Sequence, residues 1–368
     1  MSGTERSIAG IDLSAVRHNV RRLAATAPRS ELLVVVKADG YGHGAVAVAQ
    51  AALEAGATSL GVAAVCEAET LRAAGITAPI LMWGPMMGEE WTRIAATDCE
   101  VAVWTPEGCR AAASAGVRRI HLKLDSGMGR LGARPEAVAA LAEAASDPAL
   151  EVVGCMTHFA TADETEGPNA AFMVEQLARF RAMAGPLRDR FPSARLHAAN
   201  SAAALRNPDT HLDMIRCGIA MYGCSPFMRD PGEHDLRPVM SLRSYLASVK
   251  PILGRESVGY GRLWRAARGS RIGAIPVGYA DGYSRSYANT AEVLVGGRRV
   301  PVVGMVSMDQ ITVDLGPESS DRVGDPVVLM GSQGDQSISA EELGRWRGSI
   351  NYEVVCAVGD RMRRVVEG

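Results

Sequence analysis

The sequence predicts an α/β chain in which eight strand and helix units close into a barrel, followed by a mostly β domain. Three observations predict it. From residue 31 onward, short apolar runs alternate with Ala-rich segments of helical period. Neither a G-x-G-x-x-G after the first run nor a Walker sequence occurs, which argues against a doubly wound open sheet. After Tyr222 the texture changes to strand-like runs separated by turn residues. Strands separated by helix-length segments imply parallel pairing, and eight such units are the number that closes a (β/α)8 TIM barrel.

The units follow in order. ELLVVVK precedes GAVAVAQAALEAGA, SLGVAAV precedes CEAETLRAAG, PILMWG precedes GEEWTRIAA, and EVAVWT precedes PEGCRAAASAG. RRIHLKLD is followed by PEAVAALAEAA, EVVGCMTHFA by NAAFMVEQLARFRAMA, RLHAANS by the short AAALRNP, and DMIRCGIAMYG closes the series. Uninterrupted apolar runs such as LLVVV, three of whose residues are β-branched, suit strands buried on both faces. SPFMRDPGEHDLRP reads as a linker. Beyond it SYLASVKPI, SRIGAIPVGYA, AEVLVGG, RRVPVVGMVSMDQITVDL and DPVVLM read as strands, with a hairpin turn at Gly296 and Gly297 and one short helix near SAEELGRWRG. The expected domains are therefore a barrel over 1–235 and a mostly β domain over 236–368.

Composition narrows the function. A net charge of -2 offers no basic stripe for nucleic acid. MSGTERSIAG lacks an apolar leader core, and no stretch is long and uncharged enough to span a bilayer, so a cytoplasmic protein is expected. Seven scattered cysteines without a C-x-x-C pair favour reduced thiols, and seven dispersed histidines give no metal-ligand spacing, so no metal is expected.

Working residues of barrel enzymes stand at the carboxyl ends of the strands. Here Lys37 ends the first run, Lys123 lies in the fifth, His158 ends the sixth, Asn200 and Ser201 end the seventh, and Arg216 lies in the eighth. Each alone has a structural reading: Lys37 as the first solvated residue, Lys123 paired with Asp125, His158 as a core histidine, Asn200 as a helix cap. Five strand ends of this kind on one rim point instead to chemistry. A lysine in such a mouth loses hydration, its pKa falls, and it becomes a nucleophilic amine suited to Schiff-base formation with a carbonyl, either of a substrate or of pyridoxal phosphate. Glycines 40, 42 and 44 allow close backbone approach, and amides around Ser201 and Gly218 can cradle a phosphate.

VVVKADGYGHG, HLKLDSGMGRLG, THFA, HAANSAA, MIRCGIAMYG, VGYGRLW, PVGYADGYSR, VSMDQ and INYE, in this order between residues 34 and 353, closely resemble the bacterial alanine racemases. The resemblance implies a barrel plus C-terminal β domain, a head-to-tail homodimer and pyridoxal 5'-phosphate. It implies that Lys37 is the Schiff-base lysine and one of two bases, and that Tyr260, from the second subunit, is the other. Arg216 takes the position that donates to the pyridine nitrogen, and His158 the position linking that arginine to the tyrosine. Tyr41, Ser201, Gly218, Ile219 and Tyr352 fall on phosphate-holding positions. Arg130 and the amide of Met308 fall on groups receiving the substrate carboxylate, with Tyr279 and Asp309 at the entrance. Lys123 corresponds to a lysine often carbamylated, whose added carboxylate would orient Arg130. Departures from the pattern are Cys217 where proline is common, Ser307 where cysteine is common, and DRMRR near the end, which lacks a usual proline.

The chemistry fits these residue types. Racemisation removes a proton from one face of Cα and returns one to the other, which two bases on opposite sides can do. An arginine stays charged and does not readily protonate a pyridine nitrogen, whereas the acid found there in related barrel decarboxylases would. The expected function is interconversion of L- and D-alanine, supplying D-alanine for peptidoglycan. Alternatives are a racemase of the same build acting on serine or a broader set, a decarboxylase, and a non-catalytic pyridoxal phosphate carrier.

Overall fold

The computed structural model describes residues 6–368. The first strand, β1 (Ile8–Asp12), precedes the barrel. The barrel strands are β2 (Glu31–Val35), β3 (Ser59–Val62), β4 (Ile80–Met82), β5 (Glu100–Val103), β6 (Arg119–Lys123), β7 (Glu151–Met156), β8 (Arg195–His197) and β9 (Met214–Cys217). They form one parallel sheet in the order β8-β7-β6-β5-β4-β3-β2-β9. The seam between β8 and β9 is spanned by two backbone hydrogen bonds, Asp213 N to Leu196 O at 3.0 Å and Arg216 N to Ala199 O at 2.9 Å. All eight apolar runs of the series thus become barrel strands.

Local signals account for the intervening helices. In Pro106–Ala115 the Thr105 hydroxyl accepts from Gly108 N, Pro106 opens the first turn, and Gly116 leaves in the left-handed conformation. In Ala45–Glu54 five small or β-branched residues, Ala45, Val48, Ala49, Ala51 and Ala52, are buried, and the helix packs against helix Leu13–Thr26. Alanine at these places lets neighbouring elements approach closely at no side-chain entropy cost.

One expectation needs correction. Dividing the chain at 235 assigns Ile8–Asp12 to the barrel, yet β1 lies in the other sheet, antiparallel to Met240–Tyr245 and parallel to Arg363–Glu367. Its partners are more than two hundred residues away, so nothing local in IAGID reveals them. Asp12 then caps helix Leu13–Thr26 by accepting from Ser14 N and Ala15 N, and that helix buries Val16, Val20 and Leu23.

The sheet that β1 joins has seven strands, and the C-terminal region also holds the three-stranded sheet 248–252, 270–275 and 311–314 and a two-stranded pair, Ser257–Val258 with Trp264–Arg265. Gly296 and Gly297, at φ 59° and 76°, make the expected hairpin turn between Glu292–Val295 and Arg298–Pro301. Two short helices occur near the end, Ala340–Arg347 and Asn351–Cys356, where one was expected. A small apolar cluster of Ile252, Val258, Ala266, Ile272 and Val303 anchors the 257–265 hairpin. No helix among the described residues is long and apolar enough to cross a membrane.

Candidate active site

The carboxyl ends of the barrel strands open into a cavity of about 220 Å3 lined by Lys37, Tyr41, Lys123, Arg130, His158, Asn200, Ser201, Arg216, Gly218, Ile219 and Tyr352. Eleven residues singled out in the sequence therefore share one space. Val35, Trp83 and Met156 complete the wall. These three were not expected, because an apolar residue in a strand carries no signal that separates wall from core.

Lys37 does not end its strand, which stops at Val35, but opens a turn wound the wrong way. Ala38, Asp39 and Tyr41 have φ of 50°, 51° and 52°, with Gly40 at 61°. For each non-glycine residue this costs roughly 1–2 kcal/mol. The turn is held from outside: Glu67 accepts from Ala38 N at 2.6 Å, Asp39 accepts from Ala45 N at 2.8 Å, and Arg364 donates to Gly42 O at 3.0 Å. Glu67, the third residue of the helix Val65–Ala73, was not singled out in the sequence, because its reach across to Ala38 carries no local signal. Arg364 belongs to the DRMRR departure, which thus has a structural use. The winding carries Tyr41 back to stack on Tyr222 at 5.0 Å, with Tyr352 at 6.1 Å. Burial raises the phenols of Tyr41 and Tyr352, which keeps both neutral.

Asn200 performs both of its possible roles: its side chain caps helix Ser201–Arg206 by accepting from Ala203 N at 3.0 Å, and it lines the cavity. Ser201 Oγ accepts from Gly218 N at 2.9 Å. A methyl group on Gly218 would stand 2.6 Å from the Tyr41 hydroxyl, so only glycine lets phenol, serine and backbone converge here.

Arg216 is buried and clamped. It donates to Thr157 O at 2.7 Å and Ala198 O at 3.0 Å, with His197 Nδ1 at 3.2 Å and His158 Nδ1 at 3.5 Å. Burial lowers its pKa to about 10, which leaves it a cation at neutral pH. Lys123 does not pair with Asp125, whose carboxylate instead accepts from Gly127 N and Gly129 N. It lies over the Trp104 ring at 5.8 Å. Burial, then Arg130, Arg216 and Lys37, push Lys123 down to about 8. Burial and Arg130 likewise lower Lys37, against a smaller opposing pull from Glu67. Burial and the same cations hold His158 near 3, hence neutral. The lining has four basic side chains and no carboxylate.

The remaining predicted residues lie elsewhere on the chain. Tyr260 stands in the loop of the 257–265 hairpin, 73% exposed, and Tyr279 and Met308 are also exposed. Tyr279 N donates to Ser307 O and Ala280 N to Met308 O, which places these two loops side by side. Asp309 accepts from Arg361 at 2.7 Å, and Arg6 also reaches it. Ser307 bonds Gln310 through both its hydroxyl and its amide, closing a tight turn. Cys217 is fully buried behind Arg216 with its thiol pushed up to about 12.

Known proteins bear on this arrangement. The family model described as alanine racemase, N-terminal domain, matches residues 11–226, and that of the alanine racemase C-terminal domain matches residues 239–366. The chain is 42% identical to the alanine racemase of Symbiobacterium thermophilum over 100% of its own length and 99% of that protein. The crystal structure of alanine racemase from D-cycloserine-producing Streptomyces lavendulae superposes with a TM-score of 0.93 at 40% identity, covering 100% of this chain and 98% of that one. That of Bacillus anthracis with bound L-Ala-P superposes with a TM-score of 0.91 at 36% identity, covering 100% and 96%.

Proposed function

The chain belongs to the alanine racemase family, and from that premise we propose that it interconverts L- and D-alanine with pyridoxal 5'-phosphate, in the cytoplasm, supplying D-alanine for peptidoglycan. The observation carrying this reading is the cavity lined by Lys37, Lys123, Arg130 and Arg216 with no opposing carboxylate. Four basic groups sharing so small a space repel one another unless anions join them. A phosphate ester together with an amino-acid carboxylate meets that requirement. The donor set also fits the coenzyme: a hydroxyl, two phenols and the Gly218 turn for the phosphate, a depressed lysine amine for the aldehyde, and a fixed guanidinium for the ring nitrogen.

When bound, pyridoxal phosphate supplies an electron sink for the pair left behind as Cα loses its proton. The chain's own residues do the rest. Lys37 Nζ, whose pKa is lowered by burial and Arg130, would hold the coenzyme and exchange the proton on one face of Cα. Tyr260 of a second protomer would exchange it on the other, its hydroxyl reached by His158 from the barrel side. Arg216 offers hydrogen bonds but keeps its proton, which limits charge build-up on the ring and disfavours transamination and decarboxylation. Arg130 and the Met308 amide would receive the substrate carboxylate, with Tyr279 and Asp309 framing the approach. An amine pushed down to about 8 is partly neutral at pH 7, so Lys123 can take up carbon dioxide and lose a proton, placing a carboxylate beside Arg130.

In this reading the region 236–368 of each protomer completes its partner's site, and the assembly is a homodimer. The test is incubation of purified holoenzyme with L-alanine, L-serine and L-lysine, followed by chiral chromatography. D-alanine should accumulate toward an equimolar mixture, faster than the other D-isomers. Comparable rates on all three would make it a broad racemase. Bound coenzyme with no racemisation would make it a carrier, and released carbon dioxide a decarboxylase.

A further inference from the structure

A buried polar chain runs through the barrel interior that the proposed function leaves unused. Glu100, the first residue of β5, is 6% exposed, and its Oε2 lies 2.8 Å from His121 Nε2. His121 Nδ1 lies 2.8 Å from His197 Nε2, the two rings meeting edge to face. His197 Nδ1 lies 3.2 Å from Arg216 Nη1. The chain begins at the amino end of β5, opposite the cavity, and finishes on an arginine of the cavity wall. None of Glu100, His121 or His197 lines that cavity.

The two ends dictate the protonation of everything between. A guanidinium only donates and an ionised carboxylate only accepts. His197 must therefore present a bare Nδ1 to Arg216 and carry its proton on Nε2, which it donates to His121 Nδ1. His121 in turn carries its proton on Nε2 and donates it to Glu100. The other tautomer of either ring, or an imidazolium, sets two N–H groups or two bare nitrogens face to face. Glu100 is kept an acceptor by Arg195, with Nη2 at 3.3 and 3.4 Å from its oxygens, and by Arg119 at 3.9 Å. Arg195 is itself shared with Glu31 at 2.7 Å. Room for the middle ring comes from a missing side chain: a methyl group on Gly154 would stand 2.2 Å from His121 Nδ1.

We propose that Glu100 and His121, acting through His197, are positioning residues that fix the plane and donor direction of Arg216 from across the barrel. The geometry stands by itself, while its consequence for the coenzyme nitrogen rests on the racemase reading. The test begins with apoenzyme carrying 15N-labelled histidine. Long-range proton–nitrogen correlation spectra should show His121 and His197 neutral, each protonated at Nε2 and bare at Nδ1. Glu100→Leu removes the terminal acceptor, and Gly154→Ala pushes the middle ring aside. Each should scramble the two tautomers and lower kcat by roughly ten- to hundredfold with KM little changed, the scale of a misplaced working group. Glu100→Gln keeps an acceptor oxygen and should restore both the tautomers and most of the rate. A proton on Nδ1 of either ring in the wild type overturns the proposal, and needs no variant to fold. Equal kcat for the Leu and Gln variants overturns it as well. Correct tautomers in a protein that racemises nothing would defeat the proposed function alone. Wrong tautomers in an active racemase would defeat the relay alone.

Discussion

The barrel mouth and the loops of the C-terminal region contrast in how finished they are. At the mouth all of the polar groups that the resemblance singles out except Arg130 are buried or half-buried, and Arg216, Ser201 and Asn200 are each tied down by hydrogen bonds within the chain. Tyr260, Tyr279 and Met308, which the same resemblance assigns to the same chemistry, stand exposed on another part of the molecule. Large side chains left in water on ordered loops suit an encounter with another surface. Under the proposed function the difference has a simple meaning: one chain would build the coenzyme's pocket, while its remaining contribution would be aimed outward, toward a partner's pocket.

The largest effect should come from breaking the finished half. Lys37→Ala is expected to reduce racemisation by about 10³-fold or more, the range lost with a catalytic base. Borohydride treatment of wild-type holoenzyme and peptide mapping should place the coenzyme label on Lys37. Label on another lysine would show that the mouth is organised around a different amine.

Acid should act on the same half. His43 lies fully buried behind the Lys37 turn, its Nδ1 donating to Gly40 O and Tyr41 O, and burial holds its pKa near 4 against an ordinary 6.5. Below 6.5 the unfolded chain binds a proton that the folded chain refuses. The stability linked to this histidine is therefore complete above pH 6.5 and is lost progressively as pH falls toward 4, by about 3 kcal/mol. Urea melts of wild type at pH 7 and pH 4 should show this loss, and His43→Asn, which keeps a donor but does not titrate, should reduce it. An unchanged pH dependence in the variant would remove His43 as its source.

A smaller change tests the cradle. Gly218→Ala sets a methyl group against the Tyr41 hydroxyl, and overpacking of this kind costs about 1–3 kcal/mol, so pyridoxal phosphate should bind about tenfold more weakly. Equilibrium dialysis of apoenzyme reads this directly. Unaltered affinity would mean that the phosphate sits elsewhere.

The outward half is sharpened by mixing. Lys37→Ala and Tyr260→Phe chains co-expressed so that they pair at random should give about a quarter of wild-type activity, because half of the dimers are mixed and one of their two sites has both residues. Activity no greater than that of the separate variants would place both bases in one chain. The smallest effect concerns the entrance. Arg361→Ala removes one of the two arginines paired with Asp309 and should alter KM for alanine by about twofold, as befits a solvent-screened contact. A tenfold rise in KM would promote that pair from framing the approach to binding substrate.

Much of this was legible in residue order. Periodicity gave the eight barrel strands because a buried parallel strand must be apolar throughout, whereas its partner helix need be apolar on one face only. Lys37, Lys123, His158 and Arg216 stood out because a charged or polar residue at the end of such a strand has no packing reason to be there. What stayed hidden were pairings between distant segments. Nothing in IAGID tells β1 to leave the barrel for a sheet with Met240–Tyr245 and Arg363–Glu367. The interior histidines 121 and 197 looked like ordinary members of strands, and their connection from Glu100 to Arg216 spans four strands.

The sequence by itself determined the eight strand and helix units of the barrel and the basic and polar residues at its carboxyl rim, since these depend on local hydrophobic pattern and chain direction. Only the tertiary structure decided the left-handed winding after Lys37, the orientation of the buried histidines, and the outward exposure of Tyr260. Those are settled by contacts among elements far apart in the chain, whose free energy no short window of residues contains.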